Sequence, residues 1–342
     1  MGGHVLQFAV CSIEGSTSLW TMQWDADNLA LHVTASCTQL NRPFALAADP
    51  TGRWLYLVEF GDAATLVVLR RPHQNKTDYV VSERLPLPGA SGACSVRISN
   101  DGSHLAIAGY DSANAVLVNL SGTGDSISSW ETIALGGSGP DSERQTGSHP
   151  HDVLFHGDTL LVADLGADAV HQINLYDRSV HSSPLPAGSG PRHLTAVGDQ
   201  LFVASGELDS TMMLLRLDQG EIHVLDSIPA TSQLVPDRNY PSTVIADARK
   251  NLVYLANRGA DSVMVARVVN ERLVPVREVS TGGAWPEHLA LCESHLLVAH
   301  SRGDSVVAIR LDDEGLPRED DVMARAHIPS AMWVEALPGV HR

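Results

Sequence analysis

The 342-residue chain carries a formal net charge of −17, with 44% hydrophobic and 18% charged residues. This balance is ordinary for a folded globular protein and too apolar for a disordered one. An acidic surface repels phosphodiester backbones and anionic lipid, so neither nucleic acid nor a membrane surface is expected as a partner.

The chain begins Met1-Gly2-Gly3-His4 and lacks the basic stretch and apolar core of a secretory signal. No run approaches the roughly 18 consecutive apolar residues of a membrane-spanning helix. The four cysteines, at positions 11, 37, 94 and 292, are widely spaced and suggest neither a metal-binding pair nor a disulfide framework. We therefore expect a cytoplasmic protein whose cysteines are small buried hydrophobes.

The dominant pattern is a repeated block in which an anchor residue and two variable residues precede an apolar run typical of a short β-strand. The anchor is proline in every copy except the second, where it is alanine. In chain order the copies begin at Pro43, Ala93, Pro150, Pro191, Pro241, Pro286 and Pro329. Successive anchors lie roughly 40 to 57 residues apart, which is typical of propeller blades.

Each complete block continues through a turn into a second apolar run and then into a third, alternating strand. In the first block the turn is Asp49-Pro50-Thr51-Gly52. The second runs are predicted at 55–58, 105–108, 160–163, 201–204, 253–256 and 296–299. Helical periodicity is absent, so the pattern predicts an all-β protein.

The two ends of the chain complement each other. Residues 5–24 resemble later strands of a blade without an anchored first strand, whereas residues 329–337 resemble a first strand with nothing after it. Pairing them completes one blade and removes the exposed edges of an open array. The sequence predicts a single domain over residues 1–342, a seven-bladed β-propeller closed by N- and C-terminal strands that share one blade.

This topology predicts where functional side chains meet. Because successive strands of a blade alternate in direction, the loops entering the first strands and leaving the second strands lie at the same end of the ring. Ionisable residues crowd both sets of positions and suit an anionic or carbonyl-bearing small molecule. They are His151, Asp152, Arg192, His193, Glu287 and His288 after the anchors, and Glu59, Tyr110, Asp164, Glu207, Arg258, His300 and Arg302 after the second strands. The seventh block places Ser330 and Ala331 at the equivalent positions.

A structural role is the competing interpretation for each of these residues, since propeller loops also use ionisable groups to join blades. Four aspartates are predicted to accept backbone hydrogen bonds in turns, namely Asp164, Asp168, Asp261 and Asp304. Five histidines are predicted to lie in outer loops or hairpins, namely His73, His104, His181, His223 and His295.

A metal site built from His149, His151 and His156 is not favoured. Strand alternation points His151 and the adjacent Asp152 to opposite faces, so only other blades would complete a ligand set. The chain also contains no G-x-S-x-G elbow and no glycine-rich phosphate loop before a helix. We predict neither a metal nor a cofactor.

Three segments carry a family resemblance, and it extends over nearly the whole chain. They are Gly188-Ser189-Gly190-Pro191-Arg192-His193-Leu194, Asn257-Arg258-Gly259-Ala260-Asp261-Ser262 and Ala163-Asp164-Leu165-Gly166-Ala167-Asp168, with Ser148-His149-Pro150-His151 upstream. These segments resemble the seven-bladed propeller lactonases. That family includes the propeller type of 6-phosphogluconolactonase and the fungal carboxymuconate lactonizing enzymes.

The resemblance implies a metal-free lactone chemistry that uses one His, one Glu and two Arg at the channel mouth. The family histidine matches His151, and the two arginines match Arg192 and Arg258. The glutamate matches Glu207, although the segment Ser205-Gly206-Glu207-Leu208 is one residue longer than the family's Asn-Glu-Leu. The sixth block also departs, with Glu287-His288 where the family commonly has Pro-Arg, which predicts the loss of a cation for a phosphate group.

Side-chain chemistry then suggests individual roles. We predict that His151 activates a water and that Arg192 and Arg258 stabilise the oxyanion or the product carboxylate. Glu207 is predicted to orient the imidazole or to pass the proton. The residues predicted to bind substrate are His193, Tyr110, His288 and Glu59.

The predicted activity is hydrolysis of a sugar-derived lactone, as in 6-phosphogluconolactonase, and the expected partner is this small molecule. Two alternatives stay open. One is a muconate cycloisomerase that forms a lactone with the same four residues. The other is a propeller that only binds, although Trp-Asp repeat signatures are missing. A homo-oligomer is compatible with all three interpretations.

Overall fold

The chain folds into seven four-stranded antiparallel sheets, which form the blades of a propeller. The computed structural model describes residues 6–14, 18–25, 30–72, 78–121, 124–292 and 294–338. Within these ranges there is no α-helix, and so none that could span a membrane. The predicted all-β, seven-bladed fold is confirmed.

The strands follow one another from the channel outwards in each blade. The chain begins with β1 (Leu6–Ser12), β2 (Leu19–Asp25) and β3 (Ala30–Cys37). Blade 1 follows with β4 (Pro43–Ala48), β5 (Trp54–Glu59), β6 (Thr65–Arg70) and β7 (Val80–Pro86). Blade 2 contains β8 (Ala93–Ile98), β9 (His104–Gly109), β10 (Asn114–Leu120) and β11 (Ile127–Ala134). Blade 3 contains β12 (Pro150–His156), β13 (Thr159–Asp164), β14 (Ala169–Asn174) and β15 (Val180–Pro184).

The second half of the chain repeats this order. Blade 4 contains β16 (Pro191–Ala196), β17 (Leu201–Gly206), β18 (Thr211–Asp218) and β19 (Glu221–Pro229). Blade 5 contains β20 (Tyr240–Asp247), β21 (Leu252–Arg258), β22 (Ser262–Val269) and β23 (Arg272–Ser280). Blade 6 contains β24 (Pro286–Cys292), β25 (His295–His300), β26 (Ser305–Leu311) and β27 (Pro317–His327). The last strand is β28 (Ala331–Leu337).

The last strand closes the ring. β28 pairs antiparallel with β1, with Val334 opposite Val10, so that blade 7 has the strand order β28-β1-β2-β3. The predicted sharing of one blade by the two chain ends is therefore confirmed. Closure completes the fourth strand position of blade 7 and packs β28 against the first strands of blades 6 and 1.

Each first strand begins with a β-bulge directly after its anchor. In blade 3, Pro150 pairs with Asp164 and Asp152 pairs with Ala163, so His151 is the extra residue. A bulge interrupts regular alternation and changes the direction of the side chain beside it. The bulge therefore determines where the first variable residue of every block points.

The seventh anchor was assigned wrongly from the sequence. Ala331 pairs with Ser12 and Trp333 pairs with Cys11, so Ala331 and not Pro329 occupies the anchor position. Pro329 lies in the entry loop, where its carbonyl accepts a hydrogen bond from the Ser12 hydroxyl. Met332 and Trp333, rather than Ser330 and Ala331, are thus the two variable residues of blade 7.

The core lies between the faces of adjacent blades. The second strand of each sheet is covered on both faces, and β5 and β21 are almost completely buried. This explains why these strands read as continuous apolar runs. The sequence pattern missed the fourth strand of each blade, because outer strands such as β7 alternate exposed and half-buried residues and contain few apolar positions.

Turn aspartates join neighbouring blades. The carboxylates of Asp168, Asp261 and Asp304 accept backbone N–H bonds at 2.8 Å from Gly190, Trp285 and Ser330, which directly precede the next anchor. Asp164 accepts comparable bonds from the N–H groups of His149, Gly166 and Ala167, at 2.7, 3.0 and 3.0 Å. The predicted turn role of all four aspartates is confirmed.

A buried tyrosine provides a further connection between blades. The Tyr254 hydroxyl donates a 2.6 Å hydrogen bond to the Gly315 carbonyl of the next blade. We expect Tyr254→Phe to lower the free energy of unfolding by about 1–2 kcal/mol, because it leaves a buried acceptor unpaired. Urea or thermal unfolding measures this change. Tyr176→Phe is the control, since Tyr176 is 78% exposed and its replacement should change stability little.

Candidate active site

His151 lies in the bulge of β12 and is 8% exposed. Its Nδ1 lies 3.9 Å from the Cys94 thiol of the preceding blade, and its ring meets Tyr110 edge-on at 5.6 Å between centroids. The ring centroid of His151 lies 6.0 Å from that of His193. Oδ2 of the adjacent Asp152 lies 3.6 Å from Nδ1 of the same His193. The prediction that alternation sends His151 and Asp152 to opposite faces was therefore wrong, because the bulge interrupts alternation there.

Glu207 directly follows β17, where its N–H bonds to the Gly190 carbonyl at 2.9 Å. Its carboxylate contacts three guanidinium groups: Arg192 at 2.9 Å, Arg144 at 2.9 Å and Arg258. Burial raises the pKa of Glu207, but Arg258 and Arg192 outweigh burial and hold the pKa well below its usual range. The group is thus an anion that organises arginines, and the extra residue before it does not displace it from the mouth.

Glu287 is the second carboxylate of this cluster. Its Oε2 lies 3.3 Å from both Arg192 Nη2 and Arg258 Nη1, and its Oε1 accepts a 3.2 Å hydrogen bond from Ser301. Among the residues that the structure describes, the ion pairs of Arg144, Arg192 and Arg258 go to these two carboxylates, which leaves one net positive charge. A buried cluster with this excess attracts an anion or a carbonyl oxygen that gains negative charge.

Arg192 retains unused donor capacity in this cluster. The residue is 3% exposed, and its Nη1 has no hydrogen-bond acceptor in the described part of the chain. A buried donor without an acceptor is unfavourable, and a substrate oxygen would satisfy it. Nη1 of Arg192 is thus a suitable atom to receive a substrate carbonyl or carboxylate.

Sequence reasoning missed Arg144, which lies outside the repeated block in the connection 135–149. Its Nη2 reaches Glu207 and also donates to the Tyr110 hydroxyl at 3.3 Å. Asp141 and Gln145 hold the loop, through bonds to the Arg144 N–H at 3.0 Å and to the Leu165 carbonyl at 2.8 Å. The unusual length of this connection is the signal that points to it.

His193 and His288 form an adjoining cluster with Trp333. His288 stacks on Trp333 at 3.7 Å, and His193 lies 6.1 Å from His288 and 5.9 Å from Trp333, between ring centroids. No hydrogen bond or ion pair joins either histidine to the arginines within the described ranges. Trp333 was missed because the seventh anchor was misassigned.

The three buried histidines are electrically neutral at neutral pH. Burial lowers the pKa of His151 and of His193 well below 6.5, and the neighbouring Arg192 lowers both further. Burial, Arg97 and Arg192 do the same for the pKa of His288. A neutral His151 has a lone pair available to accept a proton.

The structure brings Tyr110 to the site but separates Glu59 from it. Glu59 ends β5 in blade 1, where its Oε1 accepts bonds from Arg84 at 2.8 Å and from the Asn41 N–H at 2.7 Å. No contact connects it with the arginine cluster in the residues that the structure describes. Glu59 thus forms a separate ion pair with Arg84.

The histidines at positions 149, 151 and 156 lie close together in the sequence, but the described structure does not bring them together as metal ligands. His149 stacks on Tyr110 at 4.5 Å, whereas His156 packs against Phe202 at 5.0 Å, so the two imidazoles serve different contacts. Across the described ranges, no group of three or more His, Cys, Asp or Glu side chains converges as metal ligands would.

The chain is similar to known proteins in sequence and in fold. The chain is 24% identical over 312 residues to 6-phosphogluconolactonase of Bacillus subtilis, covering 88% of this chain and 89% of that one. A solved protein of Lactobacillus plantarum superposes with a TM-score of 0.87 at 20% identity, covering 98% of this chain and 99% of its own. A periplasmic gluconolactonase of Pseudomonas aeruginosa superposes with a TM-score of 0.85 at 18% identity, covering 97% and 99%.

These solved structures establish the shared fold, and the family follows from the sequence match. The family described as "Lactonase, 7-bladed beta-propeller" matches residues 6–336. The match spans all seven blades and includes His151, Arg192, Glu207 and Arg258. The chain belongs to the seven-bladed β-propeller lactonase family.

Proposed function

We propose that the protein hydrolyses the lactone of a sugar acid at the mouth formed by blades 3 to 6. The observation that carries this proposal is the juxtaposition of a neutral, buried imidazole with a buried arginine that has an unpaired donor. Ester hydrolysis needs both a base for water and a cation for the oxyanion. His151 and Arg192 supply these two functions.

The reaction follows from these side chains. His151 removes a proton from a water molecule, whose oxygen attacks the lactone carbonyl carbon. Arg192 and Arg258 stabilise the negative charge on the carbonyl oxygen, as guanidinium groups do through paired N–H donors. The ring C–O bond then breaks, and the imidazolium returns the proton to the leaving oxygen, which gives a hydroxy acid.

Glu207 has a supporting role in this scheme. All hydrogen bonds and ion pairs of its carboxylate in the described chain go to arginines, and its lowered pKa makes it a poor proton donor. We assign it to holding Arg192 and Arg258 side by side. Because both guanidinium groups contact the same Oε2 of Glu207, both can reach one substrate oxygen.

The assay that tests the proposal measures acid release with a pH indicator. The purified protein is incubated with glucono-δ-lactone, its 6-phosphate and a simple aliphatic lactone, each corrected for spontaneous opening. We expect hydrolysis of a sugar lactone well above the uncatalysed rate, since family relatives include a 6-phosphogluconolactonase.

Two other results would contradict the proposal. Loss of the diene absorbance of a muconate, without hydrolysis of any sugar lactone, would identify a cycloisomerase. Acid release from no lactone, together with a protein partner recovered by affinity purification, would favour a propeller that only binds.

A further inference from the structure

A serine, a histidine and an aspartate are hydrogen-bonded in sequence in blade 3, outside the arginine cluster. Nδ1 of His171 lies 2.7 Å from the Ser182 hydroxyl, and Nε2 of the same ring lies 2.9 Å from Oδ2 of Asp164. Three adjacent strands supply these groups, because Asp164 ends β13, His171 lies in β14 and Ser182 lies in β15. We call them the blade 3 triad. A hydroxyl beside an imidazole that a carboxylate orients is the arrangement that activates a serine nucleophile.

The three groups of the blade 3 triad differ in their access to solvent. Asp164 and His171 are 0% and 1% exposed, whereas Ser182 is exposed. Ser182 lies in β15, which is the outermost strand of the blade. A molecule in solution can therefore reach the hydroxyl, while the imidazole and the carboxylate behind it stay shielded from water.

The fold does not require a histidine at position 171. His171 is the third residue of the third strand of its blade, where a buried polar side chain costs desolvation free energy that an apolar one does not. In the five other blades that are consecutive in the chain, the equivalent residue is buried and apolar. These residues are Val67, Val116, Met213, Met264 and Val307. Packing alone therefore does not account for the imidazole in blade 3.

Asp164 determines which nitrogen of His171 carries the proton. Burial raises the pKa of Asp164, but hydrogen bonds from His171, Ser148 and the His149 N–H outweigh burial and hold the pKa below its usual range. An ionised carboxylate only accepts hydrogen bonds, so we assign the proton of the neutral imidazole to Nε2. Nδ1 then presents a lone pair to the Ser182 hydroxyl, as a general base must.

The register of β15 provides a backbone donor beside the hydroxyl. The Leu185 N–H bonds to the Asp168 carbonyl at 2.7 Å, which marks a hydrogen-bonded pair at this end of the ladder. Such pairs alternate with non-hydrogen-bonded pairs between antiparallel strands, so His171 and Ser182, three pairs further along, form a non-hydrogen-bonded pair. The Ser182 N–H therefore points away from β14. It can donate to a carbonyl oxygen that gains negative charge at the hydroxyl.

A second serine offers a matched comparison. The hydroxyl of Ser103, which is partly exposed, lies 2.6 Å from Nδ1 of His104. Among the described residues, no carboxylate accepts a hydrogen bond from Nε2 of His104. Asp101 instead contacts the Ser103 hydroxyl itself at 2.7 Å. Ser103 thus shares the contact between serine and imidazole but lacks the carboxylate that orients the ring.

We propose that Ser182 is a second nucleophilic site, which accepts an acyl group from a small activated ester. Oγ of Ser182 attacks the ester carbonyl carbon while the hydroxyl proton moves to Nδ1 of His171. The ester C–O bond then breaks, and the leaving oxygen takes that proton from His171. An alcohol departs and acyl-Ser182 remains. Asp164 is a positioning residue, because it acts only through His171.

The test treats the full-length protein with a fluorophosphonate, which phosphonylates activated serine hydroxyls and releases fluoride. Peptide mapping by mass spectrometry measures the labelling rate at each serine. We expect Ser182 to be labelled at least about 10²-fold faster than Ser103, the lower end of the usual contribution of a general base. Equal labelling rates at the two serines, or no label on Ser182, would overturn the proposal.

A variant separates base catalysis from simple hydrogen bonding. His171→Gln can still accept a hydrogen bond from the Ser182 hydroxyl but cannot take its proton, so labelling of Ser182 should fall by about 10²-fold. Thermal unfolding checks that this variant retains the fold. Undiminished labelling in folded His171→Gln would refute the role of His171, and the wild-type comparison with Ser103 decides the matter if the variant does not fold.

The matched control is Ser103→Ala, which should leave the labelling rate of Ser182 unchanged. A fall in Ser182 labelling in this control would show that the reagent does not report on the blade 3 triad, and would count against the proposal. Because the label is measured by mass and not by turnover, the result does not depend on whether the protein hydrolyses a lactone.

Discussion

Replacing His151 by alanine should reduce kcat by about 10² to 10⁴-fold, the usual contribution of a general base. The fold should survive, because His151 is the extra residue of a bulge and makes no paired backbone contact with β13. Turnover of the best lactone measures the effect. His151→Gln, which keeps a polar side chain of similar length, guards against a packing artefact and should lose activity to a similar extent.

The pH profile provides an independent check on the same residue. Burial and Arg192 lower the pKa of His151 well below 6.5, so the neutral, basic form persists into moderately acidic solution. We expect kcat/KM to stay level from neutral pH down past 6.5 and to decline only below it. His223→Gln, a change at an exposed position of β19, should alter neither rate nor profile. Full activity in His151→Ala would refute the assignment.

The fold was predictable because the repeat recurs at positions that packing controls. Pro150 and Pro191 begin strands, and apolar runs such as residues 55–58 are covered on both faces by neighbouring blades. The exception was blade 7, in which Pro329 resembles an anchor but lies in a loop. Only the pairing of Ala331 with Ser12 reveals the register, and a sequence pattern does not contain that long-range contact.

The candidate site was predictable only in part. Comparing equivalent blade positions singled out His151 and Arg192, because the blade does not need charge there. Arg144 lies in the long connection 135–149, outside the repeated block, so comparing block positions did not include it. Glu207 contacts arginines from other blades, whereas Glu59 contacts Arg84 of its own blade, and the sequence pattern contains neither of these side-chain contacts.

Replacing Glu207 by glutamine should reduce both stability and activity. The change removes one of two carboxylates that balance three arginines, and leaving a buried charge without its partner costs about 3–5 kcal/mol. We expect a clear fall in the free energy of unfolding and a loss of at least about tenfold in kcat/KM, since Arg192 and Arg258 would repel each other. Urea unfolding and lactone assays measure the two effects.

The pH dependence of stability identifies the cause. Because the folded pKa of Glu207 lies below the unfolded value of about 4.5, its ionisation stabilises the fold above that pH and is lost as pH falls further. The stability difference between wild type and Glu207→Gln should therefore shrink below about pH 4.5. Glu221→Gln, at a half-exposed pair with His181, should change stability little. A constant difference at every pH would exclude the loss of this charge as the cause.

Closure of the ring by β28 and β1 has a consequence for how the protein is assembled. Six blades consist of strands that are consecutive in the chain, whereas blade 7 joins the two ends at Val10 and Val334. Such a long-range pairing is entropically costly and forms late. Trp333 arrives with that last strand and stacks on His288, beside the reaction centre. Completion of the aromatic cluster beside the active site is thereby coupled to completion of the fold.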